Sequence, residues 1–300
     1  MVRVRLCENM RAFGYAPFYF ALAEGHFAKA GIEIELITSP SASRTGTMLL
    51  EGAADVSWGG PMRVMQHHQA DPACPLICFG QIVARDPFVL VGRAPNPRFR
   101  FHDLPGLRVA VATEVPTPWL MFQDDLARAG IDPAGLRRAR DMPMEASVAA
   151  LLSDEVDVVQ VFEPYVDQLT QAGCNIWHRF SDRGDIAYTT FYATREYVAG
   201  QRETCRMLVR GMAAAQRAFG AAGADVIAHS IRSFFPETDA AVLRRIVAGY
   251  RDARLWASTP ALPVASFVRL KAALLSGGLI DQDFPFDRIV DANLSRADPA

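Results

Sequence analysis

Tyr15-Ala16-Pro17-Phe18-Tyr19-Phe20-Ala21-Leu22-Ala23-Glu24-Gly25-His26-Phe27, continued by Ala30-Gly31-Ile32-Glu33-Ile34, decides how this chain folds. Pro17 suits the first turn of a helix, where its missing N–H is no loss. Phe18, Ala21, Leu22 and Phe27 fall on one helical stripe. Gly31 stops the helix. Ile32, Ile34, Leu36 and Ile37 then read as a strand. Upstream, Val2, Val4 and Leu6 alternate with Arg3 and Arg5, the two-residue period of another strand. The stretch is therefore the helix of a strand–helix–strand unit, entered through a Gly/aromatic loop at 9–17.

The rhythm continues outward. A polar loop with Ser39, Ser41 and Ser43 caps a helix expected over 44–51. A strand over 55–58 runs into Gly59-Gly60-Pro61 and a further helix, and 75–83 is a fourth strand. Such alternation argues for an α/β unit with a largely parallel sheet. Arg85-Asp86-Pro87 interrupts it, and a Pro/Arg-rich stretch, 93–100, looks like a join. A second series follows. Strands are expected at 88–91, 107–112, 138–142, 156–162 and around 174–178, with helices at 118–129 and 145–152 and another running to Ala172. Residues 188–193 are again β-like. Beyond them the pattern is amphipathic helix throughout: 202–219, 225–235, 239–250 and 263–275.

Composition narrows the classes. The chain has 300 residues, 50% hydrophobic and 21% charged, too apolar for disorder. No aliphatic run approaches the ~20 residues of a membrane span. With 31 Lys and Arg against 33 Asp and Glu, the net charge of -2 gives no drive toward a phosphate backbone, so no nucleic-acid partner is expected. The length suits two compact units rather than one.

No GxGxxG follows a strand, and no phosphate-loop Gly-Lys-Ser/Thr, HExxH or GxSxG occurs. No cofactor and no catalytic residue is expected on this ground. Five scattered cysteines do not make a disulfide framework. Cys74 and Cys78 lie near His67 and His68, which admits a metal site. The plainer reading, core cysteines beside a histidine pair, is preferred, because structural zinc sites show tighter paired spacing.

In open α/β sheets ligands collect at the C-terminal ends of strands. Those ends carry Asn9 and Tyr15; Ser41 and Ser43; Trp58 and Gly59; Arg85; Thr117; Glu163; and Tyr188. Aromatic faces can sandwich a ring. Glycine lets a ligand approach the backbone. Ser41, Ser43 and Thr117 stand before helices, whose free N–H groups attract anions. Taken singly, such Ser and Thr are as readily plain caps. As a set, recurring at successive strand ends, the residues are read as a ligand cleft.

The opening stretch, with Leu50-Glu51-Gly52-Ala53-Ala54-Asp55-Val56, Leu104-Pro105-Gly106-Leu107-Arg108-Val109-Ala110, residues 149–157 and Phe162-Glu163-Pro164-Tyr165, resembles the NMT1/THI5-like solute-binding proteins. These include the binding components of ABC transporters for sulfonates, nitrate and thiamine pyrimidine precursors. The likeness runs over about 2–219. It implies a type II periplasmic-binding-protein fold: two α/β lobes, a two-strand hinge and a helical C-terminal tail. The first lobe would be 1–86 plus 192–300, and the second, inserted, 87–191. A small ring-containing or anionic solute would be trapped by hinge closure.

The resemblance implies a monomer in the periplasm serving an ABC permease, although residues 1–6 carry no export leader. A cytoplasmic location stays open for that reason, as does an enzyme on the same fold, a precursor synthase or a decarboxylase. Within the first loop Asn9 is kept, Met10 replaces the Trp of pyrimidine-type members, and Tyr15 stands for their His. The Lys, His and clustered cysteines of the synthases are missing, which weighs against their reaction.

Overall fold

The computed structural model describes residues 1–296 and contains two sheets. The first is built from β1 (Val2–Glu8), β2 (Ile32–Thr38), β3 (Val56–Gly59), β4 (Leu76–Val83) and β9 (Thr189–Thr194), in the order β2-β1-β3-β9-β4. The second holds β5 (Val89–Gly92), β6 (Val109–Ala110), β7 (Val158–Val161) and β8 (Asn175–Arg179), in the order β6-β7-β5-β8. β1 pairs in parallel with β2 and β3, as strand–helix–strand units require. β9 runs antiparallel between β3 and β4.

Both faces of the first sheet are covered, and the pleat sorts its side chains. Leu6, Phe79, Phe191 and Ala193 join a core with the tail helices Arg202–Ala221, Ala224–Ile231 and Ala240–Asp252. Their strand neighbours Cys7, Cys78 and Tyr192 point the other way, into a core with helices Pro61–Ala70 and Val264–Ser276. This is the alternation a doubly covered sheet demands. The second sheet has its own core, drawn wholly from residues 88–180.

Three local expectations change. The opening helix, Ala16–Ala23, is buried almost all round rather than along one stripe, with Phe18, Tyr19, Phe20 and Ala21 all inside. Phe18 stacks on Trp58 at 3.9 Å, while Phe20 meets Phe219 of the tail at 5.4 Å. The tail covers the face that the stripe would have left wet. Residues 138–142 form no strand; a single bridge joins Val109 to Arg138. The β-like stretch before Ala193 lies wholly in the first sheet as β9, so the expected seam at 191/192 falls inside a strand, and the chain crosses at 184–188 instead.

Two crossing segments join the sheets, and they are fastened side by side. Ile186 N–H donates to Ala84 O at 2.7 Å. Arg183, nearly fully buried, pairs with Asp86 at 2.5 Å and with Asp125 of helix Thr117–Arg128. That helix also packs on Val264–Ser276 of the tail, and its Leu120 and Met121 share a core with Phe267 and Leu270. No described helix is long and apolar enough to cross a membrane.

Candidate ligand-binding site

A cavity of about 310 Å³ lies between the sheets. It is bounded by the loop after β1 (Asn9 to Tyr15), the turn after β3 (Gly60, Met62, Arg63), the segment before Thr117, the turn after β7 (Phe162 to Tyr165) and the entry to β9 (Tyr188, Thr189). These are C-terminal strand ends facing one another, plus the returning crossing segment. The walls are mostly apolar or aromatic: Met10, Phe13, Met62, Phe88, Met144, Phe162 and Tyr165.

Of the residues singled out from sequence, Asn9, Tyr15, Thr117, Glu163 and Tyr188 line this cavity. Asn9 Nδ2 donates to the Tyr15 hydroxyl at 2.9 Å, which leaves that hydroxyl's proton available. Thr117 opens a helix of 12 residues at the edge of the space.

The other five sit elsewhere. Ser41 and Ser43 are exposed and hydrogen-bond each other at 2.9 Å. Trp58 is fully buried between Phe18 and Tyr19, one layer behind Tyr15, whose ring centre is 6.0 Å away. Gly59 packs against the Tyr192 ring, which a Cβ would meet at 3.1 Å; its neighbour Gly60 is the one that lines the cavity. Arg85 bonds Asp185 at 2.8 Å and so clasps the two crossing segments.

Arg63 is the residue that strand ends do not point to. It lies in the first turn of Pro61–Ala70, is 7% exposed, and borders the cavity. No carboxylate of the described residues pairs with it; burial pulls its pKa down, and its polar neighbours include the neutral phenols of Tyr192 and Tyr15. The second arginine at the cavity, Arg11, is already neutralised. It grips Glu8 at 2.5 and 3.0 Å, and Glu8 also accepts from Tyr19 at 2.8 Å and Thr38 at 2.6 Å.

Two carboxylates face these cations from the second sheet. Glu114 is occupied by the backbone N–H groups of Met144 at 2.7 Å and Thr113 at 3.1 Å. Glu163 accepts one, from Asp167 N–H at 2.9 Å, through Oε2. Burial raises its pKa to about 7, with the Asp167 charge adding to the rise and that hydrogen bond opposing it.

This arrangement, strand ends of two linked sheets closing on a cavity, has relatives. A family model described as NMT1/THI5 like matches residues 12–223. The chain belongs to that family. Among curated proteins this NMT1/THI5-like chain is 22% identical over 298 residues to "Putative binding protein YtlA" of Bacillus subtilis (strain 168), across 98% of its own length and 89% of the relative's. Among solved structures it resembles the periplasmic aliphatic sulphonate binding protein SsuA from Escherichia coli, with a TM-score of 0.78, 17% identity, and coverage of 98% and 99%. It also resembles the desulfurization enzyme DSZB, with a TM-score of 0.71, 13% identity, and coverage of 98% of each chain. At such identities the structures establish the fold, the type II periplasmic-binding-protein arrangement. One fold serves both a binding protein and an enzyme, so the site must decide the function.

Proposed function

We propose that this chain is the solute-binding component of an ABC importer, trapping a small anionic organic molecule between its two lobes. The lobes would be 1–86 with 189–300, and 87–188, so that β9 stays whole in the first lobe. The observation that carries the reading is Arg63: a guanidinium 7% exposed, bordering the cavity, with no carboxylate of the described residues to balance it. A buried charge of this kind is costly unless something pairs with it, and a bound anion supplies that pair. The YtlA relative, named as a binding protein, and the SsuA likeness support the same reading. On it the chain works outside the cytoplasm, as a monomer, and hands its solute to a membrane permease. A cavity of 310 Å³ suits a ligand of about one or two rings.

The DSZB likeness keeps an enzyme in view. The cavity favours binding. Its nucleophile candidates are the hydroxyls of Tyr15, Thr117, Tyr188 and Thr189; no cysteine or histidine of the described residues lines it, and none of these hydroxyls is hydrogen-bonded to Glu163, the one lining carboxylate with a pKa near 7. Thermal unfolding in the presence of sulfonates, aromatic carboxylates and aminopyrimidines tests the proposal. A cognate anion at a hundredfold excess over its Kd raises the midpoint by on the order of 5 °C. A rise confined to uncharged compounds, or conversion of a probe into product, overturns it.

A further inference from the structure

We infer that the ligand is dipolar: an anionic group seated against Arg63 and Thr189, and a proton-donating nitrogen at its far end seated against Glu163. This rests on the cavity being a solute site and names the class of solute.

Four charged side chains border the cavity, and two of them are already satisfied. Arg11 is held by Glu8, and Glu114 by two backbone N–H groups. The remaining two have opposite signs and stand on opposite sheets: Arg63 follows β3, and Glu163 follows β7. No ion pair joins them, since each lacks the other among its charged neighbours.

The anionic end has a second, independent mark. Thr189 Oγ1 is fully buried and lines the cavity, and its one neighbour for a hydrogen bond among the described residues is the Tyr15 hydroxyl. Buried hydroxyls are nearly always paired, and this pair, already receiving an N–H from Asn9, has one proton left over beyond the bond between its two members, which marks a place for an acceptor. A guanidinium and a hydroxyl donor suit a carboxylate or sulfonate.

The far end is the reverse. Glu163 Oε2 takes the Asp167 N–H, and Oε1 has no donor among the described residues. With Arg179 and Arg245 near but not bonded to it, this acceptor takes an N–H, and an ammonium or amidinium answers it with a charge-assisted bond. Each end rejects the wrong pole, because a like charge there would be buried unpaired. A ligand with an anion alone leaves Glu163 unmatched, and an amine alone leaves Arg63 unmatched.

Matched triples of probes separate this inference from the reading it rests on. One triple is para-aminomethylbenzoate, para-methylbenzoate and para-methylbenzylamine; another replaces the carboxylate by sulfonate. Affinities are measured by calorimetry at pH 8. The zwitterion binds about tenfold tighter than either partner in at least one triple. Glu163→Gln brings the zwitterion to within about twofold of the acid without weakening the acid, and Arg63→Met abolishes binding of both. If the acids bind as tightly as the zwitterions throughout, the dipolar inference fails and the solute site stands. If no member of any triple binds, the solute-site reading itself fails. Comparing the probes on the unmodified protein separates these outcomes even where a variant does not fold.

Discussion

Glu163 makes the empty protein sensitive to pH. Its folded pKa, about 7, lies above the ordinary carboxylate value of 4.5, chiefly through burial. The folded state therefore holds this proton where the unfolded chain has released it. Stability from this group is fully present below about pH 4.5 and is lost as pH rises toward 7, by on the order of 3 kcal/mol. Asp167 on the same turn, with Arg179 and Arg245 facing it, sets the residual charge around it. Denaturant unfolding of Glu163→Gln should show this slope removed and the midpoint raised at pH 8 relative to the unmodified protein. Trp58 makes a different prediction. With its ring between Phe18 and Tyr19 it is core, so Trp58→Ala should cost about 3–5 kcal/mol of stability by the same measurement. About half of the site is legible from strand ends alone. A strand end says which loop faces the cleft but not which face a side chain takes; Trp58 and Gly59 are neighbours on one strand, and both turn away from the cavity. Arg63 is illegible because in Pro61-Met62-Arg63-Val64-Met65 it reads as the wet side of an ordinary helix. It is enclosed because that turn faces Tyr15 and Tyr192, which come from distant parts of the chain.

At the scale of elements, the crossing segments hold the most exposed weakness of the fold. Arg183 is fixed between Asp86 and Asp125, and the Arg269 side chain donates to its carbonyl from the tail. Burial raises the Asp86 pKa even though Arg183 opposes the rise. Arg183→Met leaves two buried carboxylates with no cation, and should cost roughly 3–5 kcal/mol in chemical denaturation at pH 8. The loss should shrink at pH 5, where a carboxylate with a raised pKa takes up a proton more readily. Most elements are announced in the sequence, because helices such as Arg202–Ala221 and strands such as β1 carry their period openly. The pattern misleads at Ala16–Ala23, where packing on both sides erases the stripe, and at 138–142, where one bridge replaces a strand. The ion cluster leaves no local pattern, since its members are separated by 97 and 58 positions.

At the scale of the molecule, the order of the strands has a consequence for how the chain is made. β4 touches the rest of its sheet only through β9, so β1 to β4 cannot complete that sheet until residue 194 has emerged from the ribosome. The strands of the second sheet and the core beneath them are drawn from 88–180, although helix Thr117–Arg128 also packs on the tail. The middle of the polypeptide thus has a finished interior while the beginning still waits for its partners. Domains fold as units once their residues are available. Nascent chains arrested with 185 residues exposed should resist protease across 88–180 and be cut within 2–83. Protection of that first stretch should appear only when β9 and the helices after it are also free. If the first stretch is protected before the second, the strand order does not govern synthesis. Translation therefore builds this protein from its middle outward, and holds its first eighty residues in suspense for a strand encoded a hundred codons later.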